Sequence, residues 1–268
     1  VQTCALPISR IRQIGFLASI GPTAPFGQFT GLLGASLYWG IGFFQTHAPR
    51  IYGKKTASLV EPNLLPNRPA LEYYDAQLPD NDSRFVWDFI ATAQRLGAHC
   101  RNYHSVTAAK FTEATSGSEW SVEYQNVLTG QTGTVSAKTL INATGPYANL
   151  MSDLFGLQNK SRLALSKGVH LIVPKIHNGD RVLAFWDEQG RMFYVLPMHD
   201  RSMIGTTDTR TDYATKEVTA EDRDFLLRQI NKEMNLERPL TVDDIIAERS
   251  GVRPLVTNGG NTDQIDWH

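Results

Sequence analysis

The sequence predicts an α/β chain. Its first part alternates helix and strand, and its later part is a mainly antiparallel sheet with a helix on it, the two interleaved as domains. Three observations carry this. "DSRFVWDFIATAQRLG" sets Phe85, Val86, Phe89, Ile90, Ala93 and Leu96 on one helical face. "EWSVEYQNVL" and "TVSAKTLINA" alternate in polarity on either side of the turn "TGQTG". Residues 160–212 then hold four apolar, strand-like runs, followed by a capped helix.

The 268 residues leave room for one large domain or two interleaved ones. Lys and Arg (26) nearly balance Asp and Glu (27), so no overall field draws the chain to nucleic acid. The two cysteines, Cys4 and Cys100, make neither a disulfide framework nor a metal site, and suit a reducing compartment. P-loop, HExxH, GxSxG, GxGxxG and Cys/His metal spacings are all missing, so no metal is expected. "VQTCALPISR" has no basic start or clean apolar core and is not a signal peptide. The chain begins without Met, which leads us to expect a piece of something longer.

Residues 1–58 read as an apolar segment, either capping the fold or associated with a membrane. No formal charge occurs from Gln13 to Phe44. The strongest run, Phe29 to Phe44, is shorter than the roughly 20 residues that span a bilayer. Pro22 and Pro25 stop it from extending backward. A buried or capping helix and a membrane-surface contact both suit it. Tyr38, Trp39, Phe43 and Phe44 favour an interface, although a basic face is missing. Residues 45–80, rich in Pro and Asn, read as an irregular but ordered connection.

The helix at 83–96 is capped by Asp82 or Ser83 and ends at Gly97. A short strand is expected from Cys100 to Val106, then a β-excursion over 105–140. "GVHLIVP", "RVLAFW", "MFYVLP" and "SMIGTT" follow as strands. Thr219 caps "TAEDRDFLLRQINKEMN", with acidic residues in the first turn where the helix dipole favours them. "DDIIAERSGVRPLV" closes the readable part as an extended segment.

Four places invite chemistry. "INATGPYANL" reads as a buried strand ending in a tight turn whose small residues, Ala143, Thr144 and Gly145, let a flat or charged ligand approach the backbone. A plain turn explains it equally well. In "SKGVHLIVP", Val169, Leu171 and Val173 share one strand face and His170 takes the other, as a structural residue or a general base. "GTTDTR" is a hydroxyl-rich turn that Asp208 can cap. Arg253, between Val252 and Pro254, needs an anionic partner if buried: Glu248, Asp208 or a bound anion.

"EYYDAQLPDNDSRFVWDFIATAQRLGA", "LINATGPYAN", "SKGVHLIVP", "FYVLPMHDRSMIGTTDTR" and "SGVRPL" occur in one order across Leu59 to Thr257. Together they resemble the flavin-dependent glycerol-3-phosphate dehydrogenases, within the D-amino-acid-oxidase-like flavoproteins. The resemblance implies an incomplete FAD-binding Rossmann-like domain at 59–150, a substrate-binding domain at 151–247 and a return strand at 248–268. It implies FAD as cofactor and oxidation of glycerol 3-phosphate to dihydroxyacetone phosphate. Electrons would pass to a membrane quinone, or to oxygen in related oxidases. A peripheral location on the cytoplasmic side of the membrane is implied too, with contact through residues 29–44. By the same resemblance Ala143, Thr144 and Gly145 contact the flavin and Val106 meets the adenine. His170 accepts the carbinol proton, Arg253 binds phosphate or steadies the alkoxide, and Lys167 and Thr207 neighbour the substrate.

The family's opening GxGxxG and its later "GGK-TTYR"-like segment are not found here, so this polypeptide is expected to hold FAD poorly. The alternatives are an amine or amino-acid oxidase of the same group, against which "GTTDTR" and "SGVRPL" argue, and a non-catalytic remnant that keeps the substrate sheet.

Overall fold

A computed structural model describes residues 11–78, 81–113, 117, 119–158 and 161–257. Cys4 and the final "DQIDWH" lie outside the described residues. The chain divides into two compact units. The first takes residues 11–85, 167–209 and 216–251, and the second takes 86–166, 210–215 and 252–257.

The first unit is built on a twisted sheet. Its strands are β1 (Arg12–Ser19), β2 (Arg50–Tyr52), β3 (Ala70–Gln77), β7 (Arg162–Pro174) from Lys167 onward, β8 (Val182–Trp186), β9 (Met192–Met198) and β10 (Arg201–Gly205). They run in the order β7-β10-β9-β8-β1-β3-β2, with β11 (Thr209–Thr211) and β12 (Ala247–Thr257) also paired to β7. Neighbours are antiparallel along β7-β10-β9-β8 and β1-β3-β2, while β1 and β8 are parallel. The expectation of a mainly antiparallel sheet therefore holds, with one parallel pair at its centre.

Alternation along the strands sorts residues to two faces. One face is a closed core. Val169, Leu171 and Val173 of β7, Leu183 and Phe185 of β8, Val195 of β9 and Ile204 of β10 are 0% exposed there. Helix α5 (Ala220–Glu233) covers them through Leu226, Leu227 and Ile230. Each such side chain contributes about 1.5–3 kcal/mol when fully buried. The cap expected at Thr219 is present: its Oγ1 accepts from Asp222 N–H, and the Asp222 carboxylate accepts from Thr219 N–H.

Several ion pairs brace this unit, Lys167–Asp222 and Arg181–Glu72 among them. Lys167 Nζ lies 2.6 Å from Asp222 Oδ2, with both side chains buried, and donates to the Glu217 carbonyl at 3.1 Å. Glu72, buried on β3, accepts from Arg181 Nε at 2.6 Å and Tyr52 Oη at 2.7 Å. Burial pushes the Glu72 carboxyl up, but Tyr52, Arg181 and Tyr74 outweigh it and hold it below the usual carboxylate range.

The opposite face carries a smaller core of Ala18, Leu71, Ala184 and Trp186. Helix α1 (Gln28–Ile41) packs on it through Leu32 and Ala35. The reading of residues 1–58 as a capping segment needs two corrections. Residues 12–19 form a central strand, because Ile14, Leu17 and Ala18 are buried between β3 and β8. The helix caps the sheet with one side only, leaving Phe29, Leu33, Leu37 and Ile41 exposed. Residues 45–80 are likewise more regular than expected. They contain β2, the short α2 (Ala57–Val60) and β3, whose eight residues pair with β1 end to end. The first unit thus takes in residues 11–85.

The second unit holds a three-stranded antiparallel sheet of β4 (His104–Thr112), β5 (Glu119–Asn126) and β6 (Thr132–Ala137). It also holds most of α3 (Asn81–Arg95) and α4 (Ala148–Leu154). Helix α3 forms where its periodicity predicted, but Val86, Phe89 and Leu96 of its apolar face are exposed. The strand expected at 100–106 begins only at His104, because Tyr103 turns the chain with φ 55°. Val106 is therefore third in β4, just before a bulge, and not at a strand end. The return strand also stops short. Its last partner is Trp120 opposite Ala137, so Leu140 to Asn142 have no strand to pair with, and Ile141 is 81% exposed.

Asp222 provides a test of the buried pair. Burial raises its carboxyl, but Lys167 and the Thr219 cap outweigh this and leave it below the ordinary value. A depressed carboxylate contributes stability above its unfolded pKa and loses it as pH falls through the folded one. Asp222→Asn should cost on the order of 3 kcal/mol at neutral pH. The gap to wild type should close on acidification, as measured by denaturant melts at stepped pH.

Candidate active site

His170 stands on β7 between Val169 and Leu171, which are both fully buried beneath the sheet. Alternation therefore sends its side chain to the opposite face, where it is half-buried. Strand register extends a row across that face. His170 pairs with Gly205 of β10, Gly205 with Tyr194 of β9, and Tyr194 with Ala184 of β8. Beyond Ala184 the face is covered, with Phe26 set edge-on to Trp186 at 5.3 Å. Over β9, β10 and β7 it stays partly exposed, with His170, Tyr194 and Met203 all half-buried.

The Tyr194 ring meets Phe16 edge-on at 6.0 Å, and Phe16 stacks on Tyr73 at 5.2 Å. Burial, with the Asp75 charge behind it, pushes the Tyr194 hydroxyl up; Tyr73 is raised mainly by burial too. Both therefore stay protonated at neutral pH. Asp75 also accepts from Tyr38 of α1 at 3.1 Å, which ties the helix to the sheet.

Thr207 is buried beside this row. Its Oγ1 accepts from Val169 N–H at 2.9 Å, and its own N–H donates to the Val169 carbonyl at 3.2 Å. The chain leaving β10 is thereby fastened to the residue before His170. Lys167 requires a correction. It shares the core side of β7 with Val169, and its ammonium is held by Asp222 and the Glu217 carbonyl. Its place is in the brace beneath the sheet, on the face away from His170.

The remaining expected site residues belong to the second unit. Ala143 and Thr144 lie in coil and are exposed, and Gly145 begins a single 3-10 turn at φ 57°. A Cβ on Gly145 would meet nothing within 4 Å. An exposed backbone with small residues and open space fits the close approach of a flat cofactor. The turn is held by Asn142, a turn-forming residue in sequence whose bonds only the structure gives. Asn142 Nδ2 donates to the Ala148 carbonyl at 2.9 Å and to Ser152 Oγ at 3.2 Å, and its Oδ1 accepts from Thr144 Oγ1 at 2.7 Å. A cleft of about 390 Å³ adjoins it, lined by Pro146, Tyr147, Leu163, Arg210, Asp212 and Tyr213. Arg253 is half-buried on β12. Glu248, one partner suggested for it, is instead engaged by both Nε and Nη2 of Arg223.

Sequence reasoning missed Gly205 and Tyr194. Alternation in "FYVLP" and "SMIGTT" does place them on the face away from Val195 and Ile204. Only the cross-strand register sets them beside His170.

Asn142→Asp keeps the shape of the side chain and removes both donors to α4. It should destabilise the turn by about 2 kcal/mol. The measurement is cleavage by a protease between residues 138 and 148, which should quicken in the variant while the melting of the first unit is unchanged.

The chain has relatives of known name. Bovine (Bos taurus) mitochondrial glycerol-3-phosphate dehydrogenase is 32% identical over 200 residues, covering 72% of this chain and 27% of the relative. The alpha-glycerophosphate oxidase of Enterococcus casseliflavus is 34% identical over 190 residues, covering 69% and 31%. Among solved structures, the glycerol-3-phosphate dehydrogenase of Bacillus halodurans complexed with FAD superposes with a TM-score of 0.72 at 25% identity, covering 92% of this chain and 45% of that one. The chain thus spans less than half the length of each. The sequence pattern of one family matches residues 37–266, which include every site residue described above. The chain belongs to the FAD dependent oxidoreductase (DAO) family.

Proposed function

We propose that this chain carries the substrate sheet and part of the flavin domain of an enzyme that oxidises glycerol 3-phosphate to dihydroxyacetone phosphate. The observation that carries the reading is His170, a half-buried imidazole on the partly exposed face of a sheet whose other face is a closed core. Alcohol oxidation needs a base for the hydroxyl proton, and His170 is placed to accept it. The Arg253 guanidinium holds the phosphate or steadies the developing alkoxide. Thr207 serves as a pocket neighbour by fixing the strand that bears the base. Ala143, Thr144 and Gly145 offer backbone to the flavin, and Val106 offers backbone near the adenine. When bound, FAD supplies the hydride acceptor that no side chain provides. The exposed apolar face of α3 supports its place in a larger flavin domain.

Electrons leave to a membrane quinone in this reading. The similarity to an alpha-glycerophosphate oxidase keeps oxygen as the second acceptor. Peripheral contact with a bilayer, on its cytoplasmic side, is assigned to residues 29–44. Phe29, Leu37, Ile41 and Phe43 are exposed there, in a stretch with no formal charge. Among the described residues no helix is long and apolar enough to cross a membrane.

Two experiments test this, both in protein expressed from its complete reading frame. With an artificial dye as acceptor, glycerol 3-phosphate should be oxidised in preference to glycerol and amino acids. His170→Ala should lower kcat by about 10²–10⁴-fold. Arg253→Ala should raise KM for glycerol 3-phosphate, and Arg253→Lys should restore it only in part. Near-normal kinetics in His170→Ala and Arg253→Ala would sink the assignment. Separately, Ile41→Asp with Phe43→Asp should abolish sedimentation with neutral phosphatidylcholine vesicles. Equal pelleting of variant and wild type would remove α1 from the membrane contact.

A further inference from the structure

The row His170–Gly205–Tyr194 has a bare position at its centre. An ideal Cβ built on Gly205 would lie 2.6 Å from His170 Cδ2, 2.9 Å from its Cγ and 2.8 Å from the Val169 carbonyl oxygen. Real side chains do not approach so closely, so the imidazole rests directly on the Gly205 backbone. Two of the three obstructing atoms belong to the ring and the third is main chain, so shifting the ring alone would not make room. Gly21, Gly31 and Gly133 are also closed to a Cβ, but by side-chain atoms of Arg68, Phe26 and Tyr124, whereas at Gly205 a main-chain oxygen stands in the way as well.

We propose that Gly205 is the positioning residue for His170: its missing side chain is what lets the imidazole lie inward over β10 instead of standing up from β7. This rests on His170 being the proton acceptor. Neighbouring strands are about 4.8 Å apart. Leaning across Gly205 thus moves the ring from the line of β7 toward the middle of the partly exposed face, on the side of Tyr194. The seat is braced from below. Thr207 returns two hydrogen bonds to Val169, so the glycine and the histidine are carried by backbone segments fastened to each other two residues beyond Gly205 and one before His170. Gly205 touches no substrate in this scheme and acts only through the ring. Any larger residue lifts the imidazole and pushes back the Val169 carbonyl, which loosens the Thr207 clamp as well.

A base displaced by about 1 Å can lose about a hundredfold in rate. In full-length protein loaded with FAD, Gly205→Ala should lower kcat about ten- to a hundredfold with KM changed less than about threefold and flavin content unchanged. The double variant Gly205→Ala with His170→Ala should be no slower than His170→Ala alone, because the glycine has nothing left to position. A kcat within about twofold of wild type, or a loss in the double variant that multiplies onto that of His170→Ala, would overturn the proposal. A second measurement needs no variant. With ring-labelled histidine, the wild-type His170 Cδ2 proton should show a nuclear Overhauser contact to the Gly205 α-protons, and its absence overturns the seat. That contact decides the matter if Gly205→Ala does not fold. It also separates the two ideas. If wild-type protein leaves glycerol 3-phosphate untouched while the contact is present, the functional reading fails and the seat stands.

Discussion

The register of β7 is the constraint on which the site depends. Val169, Leu171 and Val173 must face the core, since together with Phe185, Val195 and Ile204 they make up most of its sheet side. With alternate residues fixed below, His170 has one place to go. A slip of one residue would bury the imidazole and expose three aliphatic side chains. The Thr207 hydrogen bonds to Val169 hold that register locally, beyond the end of β10 where the ladder would otherwise stop.

Parity within a strand is a local property, and it was legible. "GVHLIVP" announced which side His170 would take. The same holds for the helices. The Thr219 cap and the apolar stripe of α3 depend on residues three and four apart, and both were readable before the fold was known. Register between strands is not local. Gly205 and Tyr194 lie 35 and 24 residues from His170 in sequence, and nothing in a single chain says that they share a row. The same limit explains β1 and β3. Each is half-hidden in sequence by neighbouring prolines, and each becomes a strand because the other pairs with it over eight residues. Conversely, Leu140 and Ile141 have strand-like side chains but no partner backbone opposite them. Propensity alone did not make them a strand.

Charges were the hardest to place. Lys167 was expected to neighbour the substrate by resemblance alone. Its partner, Asp222, stands 55 residues later at the start of α5, where it serves the helix cap and the ion pair at once. Glu72 on β3 and Arg181, just before β8, make a similar brace from places far apart in the chain. Buried pairs of this kind add little net stability relative to apolar packing, but breaking one leaves a charge stranded.

The interleaving of the two units has a consequence for how the chain is made. Strand β1 finds its antiparallel partner β3 within about sixty residues. Its parallel neighbour β8 begins at Val182, after the body of the second unit has been translated. At about 5–20 residues per second, β1 waits on the order of ten seconds for that edge to be covered. During that interval Leu17 has neither β8 beside it nor α5 beneath it. The β1–β3–β2 ribbon thus needs shelter while residues 86–166, the body of the second unit, are being made.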